Sequence, residues 1–107
     1  MVEFIGMEYL VALALIKMDR EEISLTELNN FRVNVIKSFK EKNLTSVFLF
    51  SDNYAINLVR NYSDCFELVN NDSVLRRKVS KDSLISRFLS YLSNDILTAA
   101  FSSNNSL

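Results

Sequence analysis

The chain has 107 residues, 49% hydrophobic and 23% charged, with 12 Lys and Arg against 13 Asp and Glu for a formal net charge of −1. That content supplies one domain with a real core and excludes a disordered chain; the balance also argues against a dedicated nucleic-acid binder, whose affinity draws on phosphate neutralisation, unless a local basic patch compensates. No histidine is present and Cys65 is the only cysteine, which excludes His-containing triads, an internal disulfide and any Cys-cluster zinc site.

From the amino terminus, residues 9–16 form an apolar run too short for a membrane span of about 20 residues. Glu3 and Glu8 stand where a signal peptide carries positive charge. The run reads as a helix over about 3–18, buried on most sides and ending at the polar Asp19, Arg20, Glu21 and Glu22. Ser24 and Glu27 then form a capping box, opening a helix over about 24–42 whose Leu25, Leu28, Phe31, Val35, Ile36 and Phe39 recur at helical spacing. Val47, Phe48, Leu49 and Phe50 suit either a buried strand or a short buried turn of helix, and periodicity does not choose between them.

Ser51 and Asp52 offer caps for a helix over 52–62. Its inner face is Ala55, Ile56, Leu58, Val59 and Tyr62; its outer face is Asn53, Asn57, Arg60 and Asn61. Residues 66–79 read as a hairpin with its turn centred on Asn71 and Asp72. That register places Leu68 opposite Leu75, facing the core, and Glu67 opposite Arg76, facing water with Lys78. Ser80 caps a long last helix over 81–101, with Leu84, Ile85, Phe88, Leu89, Leu92, Ile96 and Ala99 as its apolar stripe. Residues 102–107 are a polar tail expected to fray. The single domain thus spans 1–101.

The order of these elements resembles the winged helix-turn-helix superfamily over roughly residues 9–79. The join Leu58-Val-Arg-Asn-Tyr-Ser-Asp-Cys-Phe-Glu-Leu68 is similar to the break between helix and strand that precedes many wings. The resemblance implies an α+β, mostly helical, winged-helix-like domain with a C-terminal amphipathic helix, and a short strand at Glu22, Ile23 and Ser24. The span 43–51 is longer and more apolar than the usual turn of that fold. If Val47 to Phe50 is a central strand, the alternative is a small α+β domain with a β-α-β-β unit.

The resemblance makes 52–62 a reading helix. Asn53, Asn57, Arg60 and Asn61 could then reach double-stranded DNA, since Asn pairs with adenine and Arg with guanine. Arg76 and Lys78 on the wing would meet phosphate. Against this, Arg76 could pair with Glu67, and Asp52 would repel phosphate. Arg76, Arg77, Lys78 and Lys81 form the densest positive cluster, which is as readily a solvated strand edge. The function expected on this resemblance is that of a small DNA-binding transcriptional regulator. The alternative is a non-enzymatic protein-interaction module (an inhibitor, immunity or adaptor protein) that touches no nucleic acid.

Neither reading calls for a cofactor, a metal or catalytic residues. One glycine, Gly6, cannot build a phosphate-cradling loop, and Asp19, Glu21 and Glu22 lack a calcium-loop spacing. Cys65 reads as a small buried hydrophobe, and a lone thiol suits a cytoplasmic setting. Phe88, Leu92 and Ile96 exceed what a small core needs to cover, which predicts a homodimer packed through the last helices, or the first and last together, across a two-fold axis.

Overall fold

A computed structural model describes residues 3–44, 46–49 and 53–102. Its centre is a helix, α1 (Met7–Lys17), in which six consecutive residues from Leu10 to Leu15 are wholly inaccessible to solvent (0% exposed). A helix apolar on every side must be covered on every side. Here α2 (Leu25–Glu41), α3 (Tyr54–Asn61), α4 (Lys81–Arg87) and α5 (Asn94–Phe101) all pack against it. The domain is α+β and mostly helical.

The first helix begins at Met7, because β1 (Glu3–Gly6) precedes it. β1 pairs in parallel with β3 (Ser46–Leu49), Ile5 opposite Phe48. The apolar run of undecided type is therefore a strand, and its ladder partner is what decides it. That strand is not central to the hairpin sheet. β2 (Glu22–Ser24), β5 (Val74–Arg77) and β4 (Phe66–Val69) form a separate antiparallel sheet in the order β2-β5-β4. The expected register holds, with Leu68 opposite Leu75 and Glu67 opposite Arg76.

With one Gly and no Pro, Asn and Asp turn this chain. Asp19 (φ 51°) and Asn43 (φ 57°) take the left-handed conformation just past α1 and α2. After α1, Asp19 N–H donates to Ile16 and Arg20 N–H to Leu15; after α2, Asn43 N–H donates to Lys40 and Leu44 N–H to Phe39. Both ends are Schellman motifs with Asp or Asn in the place glycine usually fills. The hairpin turn uses three such residues in a row, Asn70, Asn71 and Asp72 (φ 52°, 56° and 63°). Ser73 closes it, its hydroxyl donating to the Asn70 carbonyl at 2.6 Å.

The capping box forms as expected. Ser24 Oγ accepts from Glu27 N–H at 3.1 Å, and Glu27 Oε1 accepts from Ser24 N–H at 3.4 Å. Ser80 likewise caps α4 through Ser83 N–H. Asn53 stands at the N-cap of α3 without a side-chain capping bond; the caps expected at Ser51 and Asp52, and Phe50, lie outside the described residues.

The long last helix does not exist. α4 stops at Arg87, a 3₁₀ turn covers Leu89–Tyr91, Leu92 is extended (ψ 148°), and Ser93 caps α5 by accepting from Ile96 N–H at 3.3 Å. A straight helix over 81–101 would be ~30 Å long and could lie only along the 37 Å axis of the molecule, the other two being 25 and 24 Å. Breaking it lets α4 pack on α1 while α5 packs on α2. Phe88 (2% exposed) and Ile96 (1%) are consequently buried inside one chain, and Leu92 is half-buried. The uncovered stripe that suggested a dimer interface at Phe88, Leu92 and Ile96 is absent.

Candidate binding surface

The positive cluster on β5 is met by the acidic turn that follows α1. Cross-strand pairing puts Glu22 opposite Arg76 on one side and Glu67 opposite it on the other. Arg76 chooses Glu22, with Nη2 and Nε at 2.9 and 3.1 Å from Oε2. Glu67 is left as a nearby charge, correcting the partner expected from the hairpin alone. The Glu22 carboxylate, with Glu21 and Glu67 behind it, raises the Arg76 guanidinium above its usual value.

The neighbours of Arg76 are engaged as well. Arg77 donates to the carbonyls of Arg20 and Val79, and Lys78 Nζ donates to the Ser63 carbonyl at 2.9 Å. Lys81 pairs with Asp19, whose carboxyl it holds below the usual range. Such exposed pairs stabilise little; Arg76 and Lys81 are balanced by carboxylates, while Arg77 and Lys78 keep their charge and have N–H donors engaged by backbone carbonyls. A phosphate arriving at Arg76 would meet the Glu22 carboxylate already bound to Nε and Nη2.

α3 divides into three faces. Ala55 and Leu58 are buried and Val59 is half-buried, as periodicity predicts; Ile56 departs from it and is 48% exposed. Asn53, Asn57, Arg60 and Asn61 are all exposed. Arg60 makes no hydrogen bond or ion pair among the described residues, which makes it the one cation of the expected DNA-reading set without an acceptor there.

The third face of α3 is the stripe Tyr54, Asn57, Leu58, Asn61 and Tyr62, which turns towards the start of α1. Together with Gly6, Met7 and Glu8 it lines an open pocket of about 200 Å³. Asn57 and Asn61 thus belong to a pocket as well as to an outer face. The glycine has a role here: a methyl group built at Gly6 would overlap the Glu8 carboxylate, so that side chain lies directly against the Gly6 backbone. Glu8 has no hydrogen-bond or ion-pair partner among the described residues. By contrast Asp19, Glu22, Glu27 and Asp64 all have a cation.

Nothing local in the sequence marks Glu8 and Tyr62 as neighbours, because they are far apart along the chain and meet only through packing. The floor beyond Tyr62 is an aromatic cluster: Phe88 meets Tyr9, Tyr62 and Phe66 with ring centroids 6.0, 5.3 and 5.7 Å away. Arg87 lies 5.5 Å over the Tyr62 ring, pairs with Asp64 and donates to Cys65 Sγ at 3.0 Å. Burial pushes the Cys65 thiol up, with Arg87 opposing it. Cys65 is 2% exposed and sits under the guanidinium as a packed, protonated group.

Among the described residues no cluster of side chains could hold a metal ion, and no helix is long and apolar enough to cross a membrane. Comparison with family models, with curated proteins and with solved structures finds no match to this chain.

Proposed function

We propose that this chain is a non-enzymatic protein-interaction module on a winged-helix-like scaffold, docking through α3 and the start of α1. The engaged basic cluster carries this reading: Arg76 and Lys81 pair with carboxylates and Arg77 and Lys78 donate to backbone carbonyls, while an open mixed pocket is lined by α3 and the start of α1. Protein-binding surfaces typically combine an apolar centre with a few polar groups and a small number of anchoring pockets. The free, buried Cys65 suits a cytoplasmic setting.

The second reading, a small DNA-binding regulator, draws on a different observation. The order α1-β2-α2-β3-α3-β4-β5 resembles the winged-helix pattern apart from the inserted β3, with β2 paired to the wing strand β5 and the exposed Asn53, Asn57, Arg60 and Asn61 on the helix before the wing. Fluorescence anisotropy with mixed-sequence duplex DNA at low salt separates the two. The interaction module shows no binding at tens of micromolar protein. Binding that falls with salt at a log-log slope of about −0.9 per neutralised phosphate, and weakens in Arg60→Ala, would establish the DNA reading instead. Light scattering should give a monomeric mass, since Phe88 and Ile96 are already covered; a dimer dissociated by Tyr91→Ala would move the interface to the 78% exposed Tyr91.

A further inference from the structure

We infer that the pocket between α1 and α3 takes an arginine side chain of the partner protein, with the Glu8 carboxylate as its counter-charge. The inference rests on the protein-interaction reading and names the chemistry of its anchor. Size is the first argument. At about 200 Å³ the pocket is smaller than the roughly 300–1,000 Å³ of sites that enclose a whole small-molecule ligand. It has room for one long side chain.

Charge is the second argument. Glu8 is the carboxylate in the lining and has no ion-pair partner among the described residues, so the pocket presents an unbalanced negative group. The third argument is the shape of the donor set. Asn57 and Asn61 stand one helical turn apart and can turn their side-chain carbonyls to the same guest. Tyr54 and Tyr62 place aromatic rings in the same lining, and Met7 and Leu58 apolar surface for a methylene stem. A guanidinium is planar, carries five N–H donors in a fixed fork and stacks on aromatic faces; a lysine ammonium is a compact, strongly hydrated point charge. Arginine is also among the residues that most often anchor an interface. Gly6 completes the site by leaving room for the carboxylate against the backbone.

The test is a titration of the 15N-labelled chain with Nα-acetyl-arginine amide, followed by amide chemical shifts, with the lysine, norleucine and glutamine analogues in parallel. The arginine probe should give saturable shifts confined to residues 6–8 and 54–62, in the millimolar range expected of one small anchor. Glu8→Gln should weaken it about tenfold, the loss of one charge-assisted contact, and Gly6→Ala should weaken it by displacing the same carboxylate. Unchanged shifts elsewhere in both variants show that the fold is intact. Absence of saturation to about 50 mM, equal binding of norleucine or lysine amide, or indifference to Glu8→Gln would each overturn the inference. The anisotropy measurement with DNA decides the parent reading separately. A negative result with both probes removes only the arginine site, whereas DNA binding removes the interaction module itself.

Discussion

Around β5, four cations stand among the carboxylates of Asp19, Glu21, Glu22 and Glu67, and every cation has an acceptor. At the junction of α1 and α3, Glu8 lies among tyrosines and amides with no ion-pair partner among the described residues. The first region is conspicuous in the sequence and chemically saturated; the second is inconspicuous and open. What separates them is distance in space. The Asp19–Glu22 turn and the basic strand are brought together by the pairing of β2 with β5, whereas the walls that meet Glu8 come from a helix face without cations. The number of charges in a segment says little about a site until their partners are known.

The largest effect that would sharpen the contrast is on stability. Leu75, on the core side of the hairpin strand β5, is fully buried, and Leu75→Ala should cost about 2–5 kcal/mol in denaturant melts. Asn57→Ala and Asn61→Ala, on exposed positions at the pocket, should stay within about 0.5 kcal/mol of the parent. If the asparagines cost as much as Leu75, the pocket is structural and the contrast fails.

A smaller effect is expected where the saturated region joins α2. Ser24 is at once the last residue of β2 and the N-cap of α2, and Ser24→Ala should cost about 1 kcal/mol. Ser24→Asp should recover most of it, since aspartate also caps; failure to recover would assign the loss to the strand. The Glu27 carboxyl of the same box is held below its ordinary value of 4.5, chiefly by the Arg20 guanidinium and then by Ser24. A carboxyl depressed in the folded state contributes stability above that ordinary value and loses it as pH falls through the depressed one. Glu27→Gln should therefore flatten the acid side of the stability profile and change little between it and the parent's pH dependence above pH 6 or so. An unchanged acid limb would show that the Arg20 pair does not persist in solution.

The smallest effect belongs to the most conspicuous residue. Arg76 is an exposed partner of Glu22, so Arg76→Ala and the double variant with Glu22→Ala should melt close to the parent. Neither should create or abolish DNA binding. If Glu22→Ala alone confers salt-sensitive binding to duplex DNA, the hairpin is a basic wing held in check by its own carboxylate, and the ranking of the two readings reverses.

Local chemistry by itself determined a good deal here. The capping box at Ser24, the cap at Ser80, the hairpin register and the two faces of α2 follow from patterns a few residues long, because hydrogen-bond caps and side-chain alternation act over that range. The outer face of α3 was legible for the same reason, and all four of its chosen polar residues are exposed. Tertiary structure alone decided the rest. Residues 47–49 became a strand because β1 was there to pair with them, and that pairing also delayed the start of α1. The last helix broke where Ser93 could cap a second one, and the two shorter helices then reach different partners, α4 on α1 and α5 on α2. Arg76 found Glu22 instead of Glu67, and Glu8 found Tyr62 but no cation, because those meetings depend on how helices and strands far apart in the chain pack, which no short window of sequence contains.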